Sequence, residues 1–358
     1  MNAEMDHILE EFRRRICAAS EQKTALCLQG GGSKKWYGQE ARGEILDTRA
    51  YCGIVAYEPT ELVITARCGT SLTEIEAALD QQNQMLAFEA PHFGAGATIG
   101  GVLAAGLSGP RRATAGAVRD FVLGASLMDG TGELLSFGGQ VMKNVAGYDV
   151  SRMLAGSMGC LGLILDISVK VLPKPFAETT LAFALSEADA IHHMNLWGGQ
   201  ALPISASAWQ VGRLMLRLSG AEAAVRAAKQ KLGGEEIVDA EAYWTAVREQ
   251  SHDFFAQDDK HGLWRLSLPS TTPALRLSGK TMIEWGGAQR WLYSDEPAHL
   301  IRDTVAQAGG HVTLFRGGDK TSGVFTPLSA PIAKIHRNLK NSFDPAGIFN
   351  PGRMYPNL

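Results

Sequence analysis

Three short segments of this chain are unusually rich in glycine, a residue type suited to holding phosphate groups. Six of the sixteen residues from 94 to 109 are glycines, and shorter clusters occupy residues 29–33 and 156–162. A glycine within a helix lowers the stability of the helix by about 1 kcal/mol relative to alanine. So high a density of glycine is therefore typical of a backbone that must approach a partner closely. Backbone N–H groups at the start of a short helix of small residues would face an anion. The clusters predict a large phosphate-bearing ligand, which we interpret as a dinucleotide cofactor.

The common nucleotide-binding motifs do not fit these clusters. The string from Gly94 to Gly100, G-x-G-x-x-x-G, comes nearest to a Rossmann fingerprint, but Pro91 interrupts the strand before it. A Rossmann loop also needs an acidic residue about 20 positions further on, and the region around Asp120 follows two arginines instead. Residues 32–35 lack the G-x-x-x-x-G-K-[ST] frame of a phosphate-binding loop. The pattern therefore argues against nicotinamide dinucleotides and ATP.

The hydrophobic pattern predicts the elements that position the glycine clusters. Residues 25–28 predict a buried strand that leads into the first cluster. A second strand is predicted at residues 62–66, and the capping box of Ser71 and Glu74 predicts the start of a helix. With a further strand at residues 85–88, these elements predict a βαβ unit before the long glycine segment.

The pattern changes character after Pro173-Lys174-Pro175, which predicts a domain boundary. Beyond it, strands alternate with helical patterns, as in an α+β layer in which helices back a sheet. At 358 residues the chain exceeds one hydrophobic core, so two domains are expected. Tryptophans of the second half could stack on a ligand or pack in a core. They are Trp197, Trp209, Trp244, Trp264, Trp285 and Trp291.

Composition and charge exclude several classes of protein. A net charge of −3 gives no electrostatic reason to expect nucleic acid as a partner. The five cysteines form no C-x-x-C pair, so we expect no metal site, and free thiols suit a reducing compartment. The first residues do not resemble a signal peptide, and no uncharged apolar run reaches about 18 residues. We expect a cytoplasmic protein whose attachment to the inner membrane could come only through a complex.

Seven short motifs carry a resemblance that extends over nearly the whole chain. They are residues 28–34, 97–101, 106–112, 116–124, 143–149, 156–164 and 350–353. In this order and spacing the set resembles the FAD-binding proteins of the vanillyl-alcohol oxidase class, also called PCMH-type. Within that class it is most similar to the FAD-binding accessory subunits of bacterial glycolate oxidases. The resemblance implies an α+β chain with a PCMH-type, two-subdomain FAD-binding fold and a shortened α+β cap domain.

The resemblance also implies a domain division and a cofactor site. The FAD-binding domain would span residues 1–175, the cap residues 176–325, and a returning C-terminal segment residues 326–358. The first glycine loop and residues 98–101 would bind the pyrophosphate, whereas residues 116–120 and 159–164 would follow the ribityl chain and the adenosine. The implied FAD-binding residues are Gln29, Gly30, Gly31, Gly32, Ser33, Thr98, Ile99, Gly100, Gly101, Gly106, Ser108, Gly109, Gly116, Val118, Arg119, Asp120, Gly159, Gly162, Leu163, Ile164 and Asn350.

Attachment of the flavin is expected to be non-covalent. Covalent members of the class present a histidine just after the first glycine loop, and Ser33-Lys34-Lys35 occupies that stretch here. Lys143 and Asn144 could contact the cofactor or belong to a supporting network around Tyr148 and Asp149.

The activity implied by the resemblance is that of an FAD-dependent oxidoreductase subunit. Catalytic relatives carry an H-x-G-D-G-N-type metal motif and an E-H-G segment, and this chain has neither, so its catalytic residues are unknown. We therefore expect it to join a catalytic flavoprotein subunit and an iron–sulfur subunit in a glycolate oxidase complex. An autonomous FAD dehydrogenase of a small 2-hydroxy acid and an assembly subunit without redox role are the alternatives. Arg111 and Arg112 could steer an anionic substrate, pair with a partner or lie on a solvated face.

Overall fold

The computed structural model divides the chain into two compact units. It describes residues 2–139, 149–256, 261–356 and 358. Unit 1 consists of Met1–Leu107, Ala117–Pro173 and Pro327–Leu358, and unit 2 of Ser108–Gly116 and Lys174–Thr326. The sequence predicts domain bounds at residues 175 and 325, and it assigns Ser108–Gly116 to the first domain rather than the second.

The described chain contains helices and strands throughout. The helices are α1 (Asn2–Gln22), α2 (Leu72–Asp80), α3 (Ile99–Ala105), α4 (Arg112–Ala115), α5 (Val118–Phe121), α6 (Val150–Met153), α7 (Glu187–Gly198), α8 (Glu222–Leu232), α9 (Glu241–Glu249), α10 (Ala298–Gln307) and α11 (Ala330–Phe343). The strands are β1 (Leu26–Gln29), β2 (Glu44–Asp47), β3 (Ile54–Glu58), β4 (Val63–Arg67), β5 (Gln84–Met85), β6 (Val122–Met128), β7 (Leu134–Gly138), β8 (Leu163–Lys170), β9 (Leu172–Pro173), β10 (Ala177–Ala184), β11 (Ile204–Gln210), β12 (Arg213–Gly220), β13 (Glu235–Ile237), β14 (Gly262–Ser267), β15 (Lys280–Glu284), β16 (Gln289–Ser294) and β17 (His311–Arg316). None of the helices in this described part is both long and apolar enough to span a membrane.

Unit 1 contains a five-stranded antiparallel sheet with the strand order β3-β4-β8-β6-β7. β1 and β2 form a separate parallel pair, and β5 pairs antiparallel with β9. The predicted βαβ unit is therefore wrong, because β4 and β5 lie in different sheets. Both neighbours of β4 run antiparallel to it, and β5 has only two residues, so no parallel crossover forms.

Helix α2 forms where the capping pattern predicts it. The side-chain oxygen of Ser71 accepts the N–H of Glu74 at 3.1 Å, which satisfies one of the free donors at the helix start. Leu72, Ile75 and Leu79 are fully buried, so the apolar positions at helical spacing form one packed face. The helix thereby fixes the chain that leads toward the long glycine segment.

Unit 2 is built on an eight-stranded antiparallel sheet with the order β13-β10-β12-β11-β15-β16-β14-β17. Helix α7 packs its Ile191 and Met194 against Trp209, Leu214 and Ile283 of the sheet. Helices α8 and α10 contribute two further apolar clusters with strand residues. The predicted arrangement of a sheet backed by helices is present in this unit.

Most of the tryptophans in the second half of the chain belong to the core of unit 2. The buried ones are Trp209, Trp244, Trp264 and Trp291. Trp197 and Trp285 are only partly buried. Core packing thus accounts for four of the six side chains. Trp197 also packs against the core, next to Phe183, and the indole N–H of Trp285 donates to the carbonyl of Gly109 at 3.1 Å.

Candidate functional site

A cleft in unit 1 lies where the end of β1, the following glycine loop, α3 and the C-terminal segment meet. It encloses about 660 Å³ of space that no atom fills, part of it open to solvent. The lining residues are Cys27, Leu28, Gln29, Gly30, Gly31, Gly32, Ser33, Lys34, Lys35, Tyr37, Ala41, Thr98, Gly101, Ala104, Ala105, Met158, Asn350 and Arg353.

The first glycine loop packs directly against the second glycine segment. A Cβ atom on Gly31 would lie 1.4 Å from the carbonyl oxygen of Gly96, and one on Gly30 would lie 2.4 Å from Thr98 Oγ1. Gly32 has a φ of +72°, a conformation that residues with a side chain rarely adopt. These glycines are therefore required by the protein's own packing as well as by any ligand in the cleft.

The free amide donors of the cleft belong to the loop after β1. Within the described chain, the N–H groups of residues 30–33 donate to no protein acceptor. By contrast, the N–H of Ile99 donates to the carbonyl of Thr70 at 3.0 Å, and that of Gly100 donates to Cys68 at 2.9 Å. The start of α3 is thus satisfied internally, although the sequence predicts that its N–H groups face an anion. The loop supplies the donors instead.

Basic side chains give the cleft a positive lining. Lys34, Lys35 and Arg353 line it, and none of the described residues in its lining is acidic. The guanidinium of Arg353 donates to the carbonyls of Lys35, at 2.8 Å, and of Gln39, and so it fixes the far end of the loop. Burial lowers the pKa of Arg353 from its ordinary value. Two phosphate groups would find both positive charge and amide donors here.

Asn350 connects three segments that line the cleft. Its Oδ1 accepts the N–H of Leu28 at 2.9 Å, and its Nδ2 donates to the carbonyl of Met158 at 2.7 Å. Its own N–H donates to the carbonyl of Leu26 at 2.9 Å. With both ends of the amide engaged by the protein, Asn350 acts here as a support for the cleft walls.

Gln29 provides the clearest structural indication of a ligand site. Its amide oxygen is buried and has no hydrogen-bond partner within the described structure. Because buried polar atoms are nearly always paired, the oxygen is placed to accept a bond from a ligand. FAD carries such donors in its ribityl hydroxyls and in the N–H of its ring. Free amides, three cations and this acceptor together fit the predicted cofactor.

The cysteine near the cleft is held in its neutral form. Cys160 is buried, and its Sγ lies 3.6 Å from the carbonyl oxygen of Asn350. Burial raises the pKa of its thiol to about 11. Cys27 is also buried and lines the cleft. A neutral thiol is a weak nucleophile, so Cys160 is poorly suited to covalent attachment of a flavin.

The cleft brings together eight of the predicted FAD-binding residues. These are Gln29, Gly30, Gly31, Gly32, Ser33, Thr98, Gly101 and Asn350. The other predicted residues of unit 1 lie outside its lining: Ile99, Gly100, Gly106, Val118, Arg119, Asp120, Gly159, Gly162, Leu163 and Ile164. Ser108, Gly109 and Gly116 lie in unit 2. Residues 143–148 of the predicted motif fall outside the described residues, so their contacts stay predictions.

Two of the glycines outside the lining support the cleft walls. A Cβ on Gly100 would lie 2.7 Å from the Cβ of Cys68, and one on Gly159 would lie 2.7 Å from Asn350 Nδ2. Glycine is required at both positions because another part of the protein lies against the backbone.

Several lining residues are absent from the set predicted by sequence reasoning. Lys34 and Lys35 directly follow the glycine cluster and line the cleft. Their positive charge next to a predicted phosphate-binding loop is a feature of the sequence from which their place in the site could have been predicted. Met158 and Arg353 lie within motifs named above. Tyr37 is buried and carries no sequence signal that distinguishes it from a core residue.

Comparison with known proteins decides the family. Residues 8–138 match a family model described as FAD binding domain. The chain is 50% identical over 351 residues to the glycolate oxidase subunit GlcE of Escherichia coli (strain K12), covering 98% of this chain and 97% of that protein. The chain belongs to the GlcE family. The predicted membership and the predicted cofactor, FAD, are thereby confirmed.

More distant matches agree on the fold. The glycolate oxidase subunit GlcD of Bacillus subtilis (strain 168) is 27% identical over 183 residues, which cover 51% of this chain and 39% of GlcD. A solved structure of alkyldihydroxyacetonephosphate synthase superposes with a TM-score of 0.67 at 14% identity, covering 96% of this chain and 75% of that one. The predicted α+β, PCMH-type FAD-binding fold is confirmed.

Proposed function

We propose that this chain is the FAD-binding subunit of a glycolate oxidase and takes part in the oxidation of glycolate to glyoxylate. The observation that carries the proposal is the 50% identity to the Escherichia coli glycolate oxidase subunit GlcE along 98% of the chain. The cleft in unit 1 supports it independently, since its free amides and cations suit the pyrophosphate of FAD.

The residues of the cleft have separate tasks in this proposal. FAD, when bound, supplies transfer of one or two electrons. The N–H groups of residues 30–33 and the charges of Lys34 and Lys35 hold its diphosphate, and Gln29 accepts a hydrogen bond through its amide oxygen. Arg353 keeps the loop in shape through its bonds to two loop carbonyls. Binding leaves the flavin non-covalently attached.

Oxidation of the substrate itself falls to a partner in this proposal. The sequence lacks the metal motif and the E-H-G segment that the resemblance assigns to catalytic relatives, so no group here is identified to hold and deprotonate a 2-hydroxy acid. A catalytic flavoprotein subunit would take the hydride, and an iron–sulfur subunit would carry electrons onward. The complex works in the cytoplasm, and its other subunits make any contact with the inner membrane.

Anaerobic mixing with glycolate tests the division of labour. The purified chain should be yellow, and glycolate alone should leave its flavin absorbance unchanged over minutes. Addition of the catalytic subunit should bleach more flavin than that subunit itself carries, because the flavin of this chain is then reduced as well. Rapid bleaching without partners would identify an autonomous dehydrogenase instead. A variant that loses FAD while the complex keeps its full turnover would identify an assembly subunit.

A further inference from the structure

Helix α11 buries a lysine and leaves two isoleucines exposed. Lys340 is the one buried residue of this helix, whereas Ile332 and Ile335 are 44% and 58% exposed. Isoleucine is among the residues most often buried in folded proteins, and lysine is among the least. An ion pair with Asp344 accounts for the burial of the lysine. The exposed isoleucines indicate a face that another molecule covers.

The exposed isoleucines belong to an apolar stripe along α11. Ile332, Ile335, Leu339 and Phe343 follow one another at intervals of three and four residues, so they lie along one side of the helix. At 1.5 Å per residue the stripe is about 17 Å long. The ring of Phe343 packs edge to face against Phe137 of β7, with 6.1 Å between the ring centroids. The protein's own packing therefore covers the C-terminal end of the stripe and leaves its N-terminal end open to solvent.

The charged residues of α11 are all basic. Its cations are Lys334, Arg337 and Lys340, and the helix contains no aspartate or glutamate. Lys334 and Arg337 are exposed, and neither forms an ion pair within the described chain. The whole chain has a net charge of −3, so this helix is a local excess of positive charge. Such a face complements a surface that is apolar at its centre and acidic at its edge.

The two arginines that the sequence offers for contact with a partner are engaged within unit 2. Arg111 is buried, pairs with Glu178 at 2.9 Å and donates to Ser219 Oγ at 3.0 Å. The guanidinium of Arg112 lies 4.4 Å from the centroid of the Trp285 ring. The exposed cations of α11 have no such local partners in the described chain. Helix α11 is therefore the better candidate for a docking surface.

Two other occupants fit this face less well. A symmetric contact between two copies of α11 would bring Lys334 and Arg337 of both copies together, and like charges across an interface oppose association. Helices that bind lipid surfaces present about four to eight basic residues and insert apolar side chains about 5–10 Å into the bilayer boundary. Here two cations are exposed, and the isoleucines are only partly exposed. Another protein subunit is the occupant that these features favour.

The partner follows from the function proposed above, on which this inference rests. In that proposal electrons pass between this chain and a catalytic flavoprotein subunit, so the two must be in contact. Lys340 of the same helix donates to the carbonyl of Phe349, next to Asn350 of the cleft, so α11 also supports the FAD site. We propose that the exposed face of α11, formed by Ile332, Lys334, Ile335 and Arg337, docks the catalytic flavoprotein subunit through an apolar surface with an acidic edge.

Calorimetric titration of the FAD-loaded chain with the purified catalytic flavoprotein subunit tests this face. Ile335→Glu should weaken binding by at least about tenfold, because it removes apolar area and sets a negative charge against an acidic surface. Leu300→Glu, at a 43% exposed leucine of α10 in unit 2, is the matched control and should bind as the unaltered chain does. Since both side chains are exposed, both variants should keep the flavin content and the free energy of unfolding of the unaltered chain.

The salt dependence of binding provides a second, independent measurement. The dissociation constant of the unaltered chain should rise between about 50 mM and about 500 mM salt, because salt screens the charges across the interface. The double variant Lys334→Gln/Arg337→Gln should bind more weakly at low salt and should show a smaller rise. A rise that the double variant leaves unchanged would overturn the proposal.

The remaining outcomes separate this proposal from the proposed function. If Ile335→Glu binds the catalytic subunit as tightly as the unaltered chain does, the docking face is wrong and the proposed function stands. If the unaltered chain does not bind the catalytic subunit, both are wrong. Ile335→Glu could instead lose binding to the iron–sulfur subunit, self-association in sedimentation velocity, or flotation with phosphatidylglycerol vesicles. Any of these losses, with unchanged binding to the catalytic subunit, would assign the face to that occupant and overturn the proposal.

Discussion

Lys340 and Asp344 form a buried ion pair at the C-terminal end of α11, with the ammonium nitrogen 2.7 Å from a carboxylate oxygen. The Lys340 side chain is 8% exposed and that of Asp344 is 0% exposed. The ammonium also donates to the carbonyls of Cys160 and Phe349, both at 2.7 Å. The carboxylate accepts the N–H groups of Ile348 and Phe349 as well. Each of the three ammonium hydrogens therefore has an acceptor.

The pair places the C-terminal segment beside the first strand. Leu26 donates its N–H to the carbonyl of Ile348 at 2.7 Å and accepts the N–H of Asn350 at 2.9 Å. Arg353 follows in the same segment and holds the glycine loop. The ion pair thus supports the proposed FAD site without lining it.

Removing the charge of Asp344 should destabilise unit 1 strongly. The Asp344→Asn variant leaves the Lys340 ammonium buried without its counter-ion, which typically costs about 3–5 kcal/mol. Urea unfolding should show this loss in the free energy of unfolding, and the purified variant should retain less FAD. Glu235→Gln, which breaks an exposed pair with Arg213, should cost less than about 1 kcal/mol. Equal losses for the two variants would contradict this role of the buried pair.

Gly101→Ala should weaken FAD binding without destabilising the protein. Gly101 lines the cleft, and an added Cβ meets only Thr98 Oγ1, at 3.3 Å. Alanine is favoured over glycine in a helix by about 1 kcal/mol, which offsets the small shift that the 3.3 Å contact requires of the Thr98 hydroxyl, so the free energy of unfolding of the apoprotein should change by less than about 1 kcal/mol. The dissociation constant of FAD, measured by flavin fluorescence, should rise by about tenfold because the methyl group occupies the cleft.

The adjacent glycine provides the control for this prediction. A Cβ on Gly100 would lie 2.7 Å from the Cβ of Cys68, so Gly100→Ala should lower the free energy of unfolding by about 1–3 kcal/mol. If Gly101→Ala binds FAD as tightly as the unaltered chain, the cleft is not the cofactor site.

The sequence predicts the glycine loop of this site well and its internal support poorly. Residues 29–33 line the cleft, as predicted. The prediction succeeds because glycine is the residue type that permits close approach of the backbone. The N–H groups at the start of α3, which the sequence predicts to face an anion, donate to the carbonyls of Thr70 and Cys68, and no local pattern encodes such long-range partners. The burial of the Lys340–Asp344 pair could likewise not be predicted from the sequence, since an i,i+4 pair of charges usually lies on an exposed helix face.

The flavin should leave the protein completely on denaturation. No histidine follows the glycine loop, where Ser33-Lys34-Lys35 stands, and the Cys160 thiol is neutral because burial raises its pKa to about 11. Acid precipitation should therefore release all yellow colour into the supernatant. Colour that stays with the pellet would contradict this, and loss of that colour in Cys27→Ser would then identify the attachment point, since Cys27 lines the cleft.

The free energy of unfolding should decrease between about pH 9 and pH 11, partly because of Cys160. The ordinary thiol pKa of 9.0 is raised to about 11 by burial in the folded chain. Within this window the unfolded chain has released the proton and the folded chain still binds it, so rising pH favours unfolding. Two pKa units correspond to a loss of at most about 2.7 kcal/mol in the free energy of unfolding.

Urea unfolding at about pH 8 and pH 10.5 should show a smaller decrease in the free energy of unfolding for Cys160→Ala than for the unaltered chain. Cys52→Ala, at an exposed cysteine, should keep the full decrease, and an equal decrease in Cys160→Ala would show that this thiol ionises as readily folded as unfolded.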